Sequence, residues 1–309
     1  MNHQHPLAFV LSGGGSRGAM QVGALRALLE EGYIPEMLAG TSIGAANSAY
    51  LALHGVSQES VAGLEQIWHE TVNQDLMPTN LWWEMMRGFF RRGVGFSQSK
   101  VRSFAIRHGI TPELRFKDLT GARLYVVASD LNAGCPVIFG DDPEGSVLDG
   151  VLASMTLPPW LAPMERGDQF LVDGGVVSNL PVEAALQHGA GEIIALDLFN
   201  PFDVTPGDRS LPAFLWKLNH TIENRQLRLE IELAEARGVR VRRIQLTLET
   251  NPVPFWDFRQ SPALIQYGYD QARAAIKSWR EEPQEPWWRA VLPRWLGGRR
   301  KIELVGGGK

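Results

Sequence analysis

Leu7-Ala-Phe-Val-Leu-Ser-Gly-Gly-Gly-Ser-Arg-Gly18 is the stretch whose reading decides the fold of this chain. Its first five residues form a short apolar run that stops at Ser12 and three glycines, the pattern of a buried strand entering a tight turn. From Gly18 to Glu31 the apolar residues Met20, Val22, Leu25, Leu28 and Leu29 recur at near-helical spacing, and Gly32 ends the helix. The same order then repeats. Met37 to Ala39 reads as a short strand, Gly40 to Gly44 as a turn, and Ile43 to Leu53 as an alanine-rich helix. Two strand–turn–helix units in succession predict an α/β fold whose mainly parallel central sheet is covered by helices on both faces.

Working outward, Arg123 to Ala128, Cys135 to Phe139, Phe170 to Val172, Glu192 to Leu198 and Val239 to Leu246 read as further strands. Ser146 to Met155, Pro181 to His188, Leu211 to Arg237 and Ser261 to Arg280 read as helices, with Pro181 suited to a first turn. Residues 7–280 are expected to form one domain, and residues 281–309 a tail rich in Trp, Arg and Gly. Two segments break the alternation. Leu81 to Arg92 is unusually aromatic, and the tail sets Trp287, Trp288 and Trp295 beside arginines. Each suits either packing on its own domain or contact with a lipid headgroup surface.

The 309 residues are 44% hydrophobic with a formal net charge of −4, which gives no basic face for nucleic acid. No run approaches the ~18 apolar residues of a membrane span. The lead-in Met1 to Pro6 lacks the pattern of a secretory signal, so a cytoplasmic protein, with a membrane contact at most peripheral, is expected. Cys135 is the single cysteine, which excludes an internal disulfide, and its strand context predicts burial. No metal site is read.

Ser42 sits in Gly40-Thr-Ser-Ile-Gly44 between a strand and a helix. A nucleophile elbow needs a strained backbone at the serine and small residues around it. Gly13-x-Gly15-x-x-Gly18 also follows a strand and opens a helix, the setting of a dinucleotide fingerprint. The second strand, however, ends in Gly40-Thr41-Ser42 and carries no acid for a ribose. The same loop serves equally as an oxyanion hole, with the amides of Gly13, Gly14 and Gly15 aimed at one point and Arg17 bracing the loop. Of the histidines, His54, His69, His108, His188 and His220 lie in or beside helices, not in a loop after a strand. The better base is Asp173, at the end of Phe170 to Val172 and followed by Gly174 and Gly175. Partial burial would raise its proton affinity.

These three elements in this order, Gly13-Gly-Gly-Ser-Arg-Gly18, Gly40-Thr-Ser-Ile-Gly44 and Asp173-Gly-Gly175, resemble the patatin-like phospholipase family. Ala128 to Leu131 and Ala153 to Pro163 are weaker family-like stretches, so the resemblance covers about residues 7 to 200. Where Thr156 and Leu157 stand, the family often has a smaller residue. The resemblance implies a three-layer α/β/α fold and a Ser–Asp dyad without histidine, with Ser42 as nucleophile, Asp173 as base and Gly13 to Gly15 as oxyanion hole. It implies no cofactor, and as substrate a phospholipid, lysophospholipid or other acyl ester. An acyltransferase or small-ester esterase on the same dyad, and a non-catalytic lipid-binding regulator, are the alternatives.

Overall fold

The computed structural model describes residues 6–72, 98–157, 161–199, 207, 210–248, 253–254 and 256–281. The aromatic stretch Leu81 to Arg92 and the tail beyond Glu281 lie outside them. In chain order the elements are β1 (Leu7–Leu11), α1 (Gly18–Glu30), β2 (Met37–Thr41), α2 (Ile43–His54), α3 (Gln58–Thr71) and α4 (Ser99–Arg107). There follow β3 (Arg123–Asp130), β4 (Cys135–Phe139), α5 (Val147–Ser154), β5 (Met164–Arg166) and β6 (Gln169–Asp173). The last are α6 (Val182–Gln187), β7 (Glu192–Asp197), α7 (Leu211–Ala236), β8 (Arg240–Gln245) and α8 (Ser261–Glu281).

One sheet of eight strands organises the described residues. β3, β2, β1, β7 and β8 lie side by side and parallel, while β4, β5 and β6 are antiparallel additions. β1 is buried at all five positions because both of its faces are covered. Leu7, Phe9 and Leu11 enter a core shared with α1, α2, α3, α5 and α8. Ala8 and Val10 enter a second core shared with α6 and α7. The chain is therefore a three-layer α/β/α protein with a mainly parallel sheet. The fold turns back at β1, with β2 and β3 on one side and β7 on the other, and such a switch point opens a crevice at the strands' carboxyl ends.

Two joints matter for the site. The first is where α1 crosses α8. A Cβ on Gly23 would lie 1.9 Å from the carbonyl oxygen of Ile265, and one on Gly268 would lie 1.9 Å from that of Met20. The two backbones touch, which only glycine allows. The second joint is on β3. β2 pairs with its residues 123–127, and β6 runs the opposite way along residues 128–130. β4 covers residues 126–130 and so occupies the other edge. β2 and β6 thus share one edge of β3 and meet tip to tip, with Thr41 opposite Val127 and Asp173 opposite Ala128.

Several features depart from the sequence reading. Cys135 is exposed, not buried, because β4 is an edge strand and Cys135 begins it. β5, the two-residue turn at Gly167 and Asp168, and the helices α3 and α4 were not anticipated. The antiparallel run of β6 was not anticipated either.

Candidate active site

Ser42 occupies φ 54°, ψ −123° and is the one non-glycine residue at positive φ among the described residues. That backbone is strained, and the surroundings hold it. Gly40 and Gly44 are required by close approach: a Cβ on Gly40 would lie 2.5 Å from the oxygen of Gly44, and one on Gly44 would lie 2.3 Å from that of Leu11. The Ser42 carbonyl accepts from the amides of Ala45 and Ala46, which starts α2. The Ser42 N–H donates to Ser154 Oγ at 2.8 Å, and that hydroxyl donates to the Val127 carbonyl at 2.6 Å. Ser154 ends α5 and is fully buried.

The tip-to-tip meeting of β2 and β6 sets Asp173 against this elbow. Ser42 Oγ donates to Asp173 Oδ2 at 2.6 Å, and Asp173 Oδ1 accepts from the Gly175 N–H at 2.8 Å. The Asp173 amide donates to the Thr156 carbonyl and its carbonyl accepts from Ser129 Oγ, so the residue is fixed at both backbone ends. Gly174 fits between β3 and Thr41, where a Cβ would lie 2.2 Å from the Val127 oxygen. Asp173 is 3% exposed. Burial pushes its carboxyl up to about 6, against the opposing pull of the bonds from Ser42 and Gly175. Asp173 is thus ionised at neutral pH yet more basic than a surface aspartate.

The glycine loop lies beside the pair. A Cβ on Gly13 would come within 3.1 Å of Ser42 Cβ, and one on Gly14 within 2.7 Å of Leu198 Cδ1. Gly15 has φ 59°. The Gly13 N–H donates to the Asn179 carbonyl at 3.1 Å. That removes Gly13 from the set of amides available to a ligand and leaves Gly14 and Gly15, whose N–H groups find no acceptor among the described residues. Arg17 Nε reaches the Gly14 carbonyl at 3.5 Å, a weak brace from the first turn of the helix. Gly18 packs against Ile43, joining the start of α1 to the start of α2. Beneath the loop, Gln21 Nε2 donates to the Ser12 carbonyl, Asn47 Nδ2 to Gln21 Oε1, and Trp68 Nε1 to Asn47 Oδ1. This buried chain of hydrogen bonds ties α1, α2 and α3 to the loop.

Ser154, Asn179 and Glu223 were missed in the sequence. Glu223 on α7 is half-buried, accepts from Asn219 Nδ2, and lies within electrostatic reach of Arg17 and Asp173. Burial pushes its carboxyl up to about 7. No residue spacing marks any of the three. Neither His188 nor His220 bonds Ser42 or Asp173: His188 bonds Asp141 and stacks on Tyr125, and the His220 ring packs on Phe199.

The comparisons with known proteins fall on the same region. The family model for patatin-like phospholipases matches residues 9–186, more than half of the chain and inclusive of Gly13 to Gly18, Ser42 and Asp173. Patatin-like phospholipase domain-containing protein 7 of Mus musculus is 28% identical over 88% of this chain and 21% of its own length. An uncharacterized NTE family protein of Mycobacterium tuberculosis is 28% identical over 68% of this chain and 33% of its own. The chain therefore spans about a fifth to a third of the length of these curated relatives. Among solved structures, human GIVD cytosolic phospholipase A2 is similar over 90% of this chain and 58% of that one, at 13% identity and a TM-score of 0.48. By the family match, this chain belongs to the patatin-like phospholipases.

Proposed function

We propose that the chain is a serine acyl hydrolase that cleaves lipid carboxylic esters through Ser42 and Asp173. The observation that carries this reading is the 2.6 Å bond from the Ser42 hydroxyl to a buried carboxylate, made by a serine held at positive φ on a strand-to-helix turn. In the first step the proton on Ser42 Oγ passes to Asp173 while Oγ bonds to the acyl carbon. The carbonyl oxygen becomes an oxyanion, for which Gly14 and Gly15 are the proposed donors; each such donor is typically worth ~3 kcal/mol in the transition state. The tetrahedral intermediate collapses, the ester C–O bond breaks, and Asp173 returns the proton to the departing alcohol. Water then attacks the acyl-serine and gives a proton to Asp173, the C–Oγ bond breaks to release the acid, and Asp173 passes the proton to Oγ, which restores both groups.

The family description supports a phospholipid or lysophospholipid ester as substrate. Asn179, Ser154 and Thr156 act as positioning residues, since each holds the backbone of the loop, the serine or the aspartate. A fluorophosphonate probe is expected to label the peptide that contains Ser42 and no other. Ser42→Ala is expected to abolish both labelling and hydrolysis of long-chain acyl esters. Label on another residue, or substantial hydrolysis by Ser42→Ala, removes the reading. Competition between water and added alcohol for the acyl group, followed by product analysis, measures hydrolysis against transfer.

A further inference from the structure

α7 is attached to the molecule along one side. Leu227, Glu230 and Ala234 are buried, Gln226 Nε2 donates to the Val176 carbonyl at 2.8 Å, and Ser178 Oγ donates to Glu230 at 2.5 Å. Its opposite side carries Phe214, Leu215, Leu218, Ile222 and Leu229, each between 43% and 58% exposed. Steps of four from Phe214 to Leu218 to Ile222, and of seven on to Leu229, place these on one face. Single exposed leucines are ordinary, but five large apolar side chains on one helix face make a patch with a purpose. The patch leads to the site. Val176, three residues beyond Asp173 and bonded to α7 through Gln226, is itself 38% exposed.

The charges narrow the occupant. Between Phe214 and Leu229 the sequence has three cations, Lys217, Arg225 and Arg228, and one acid, Glu223, which is half-buried. Arg225 and Arg228 are exposed among the apolar residues. An apolar face set with cations, whose stems bury while their heads reach phosphate, fits an anionic lipid surface. One turn further along, the same helix exposes Glu232 and Glu235, which a second copy would set against these arginines, so the test below separates a second copy from a lipid surface.

We propose that this face of α7 docks on an anionic lipid surface and delivers acyl esters to the loop at Gly174 to Val176. Docking itself stands apart from the hydrolase reading; delivery to the site rests on it. The test uses the full chain carrying Ser42→Ala, sedimented with vesicles of phosphatidylcholine alone or mixed with phosphatidylglycerol. Binding is expected to favour the mixed vesicles. Leu218→Glu with Ile222→Glu should weaken it by about tenfold or more, since each apolar side chain buried is worth ~1.5 kcal/mol or more. In the chain that keeps Ser42, the same pair should retain hydrolysis of a short water-soluble ester and lose that of vesicle lipid. Arg225→Glu with Arg228→Glu leaves the apolar face intact and should erase the preference for mixed vesicles, so it carries the test should the first pair misfold. The proposal is overturned by undiminished binding of the Leu218, Ile222 variant, by no vesicle binding of the parent chain, or by a lipid-free dimer that this variant splits. Vesicle binding by a chain that hydrolyses no ester upholds docking and overturns the hydrolase reading instead.

Discussion

Asp173 is sealed from solvent between β3 and the Gly174 turn, so its protonated form is favoured until about pH 6. For a hydrolase that uses its carboxylate as base, kcat/KM on an uncharged ester should rise through about pH 6 with the slope of one ionisation. An acid limb centred near pH 4 would mean that Asp173 is not the base. The same burial has a cost. Its folded-state pKa is raised, so the stability it contributes is complete below 3.8 and is lost as pH rises through about 6. Asp173→Asn keeps an oxygen for the Gly175 amide and an N–H for Ser42. It should lower activity by roughly a thousandfold or more while its melting temperature at pH 8 equals or exceeds that of the parent. A large fall in melting temperature would make Asp173 structural. Ser42 and Asp173 were legible in the sequence because elbows and close turns demand glycine, and glycine leaves a mark. Ser154 and Asn179 were not, since one hydroxyl or amide needs no spacing. The loss of Gly13 as a donor depends on Asn179, 166 residues away, and nothing local reports it.

Among the elements, those with strong periodicity were read nearly to the residue: β1, α1, α2, α7 and α8 match within a residue or so. α3 escaped because its buried positions Val61, Leu64 and Trp68 are diluted by Gln, Glu and His, although Ser57 caps it through Ser60. Gly167-Asp168 is a two-residue hairpin signal, and it joins β5 to β6. That hairpin reverses the chain so that β6 meets β2 tip to tip. The crossing of α1 and α8 was also invisible, since a glycine inside a helix reads only as a weak position. Gly268→Ala should test it. The new Cβ would press on the Met20 carbonyl, and the helices can part only by uncovering Leu264, Ile265 and Ile276. A loss of about 3 kcal/mol is expected in urea unfolding, and a change under ~0.5 kcal/mol would show that the crossing is loose.

Among the described residues across the molecule, three carboxyls have raised proton affinity: buried Asp173, at about 6, and Glu223 and Glu230, at about 7. All three shift in one direction. Between pH 5 and 8 these three carboxyls hold more protons in the folded state than in the unfolded chain, so their contribution to stability falls as pH rises across that window, while His108, whose proton affinity burial lowers, contributes in the opposite sense. Glu230→Gln can still accept from the Glu183 amide and meet Ser178, and should flatten this fall by a few degrees of melting temperature at roughly 2–4 °C per kcal/mol. An unchanged slope would clear Glu230 of the effect. The meeting of β2 and β6 has a separate consequence, in time. The serine and its acceptor arrive on strands of opposite direction, 131 residues apart along the chain. A growing polypeptide that has not reached Gln169 can fold its elbow but has nothing to take the proton. On the hydrolase reading, the first ester turned over reports that β6 has docked on β3 beside the tip of β2, and unfinished chains are harmless to the lipids around them.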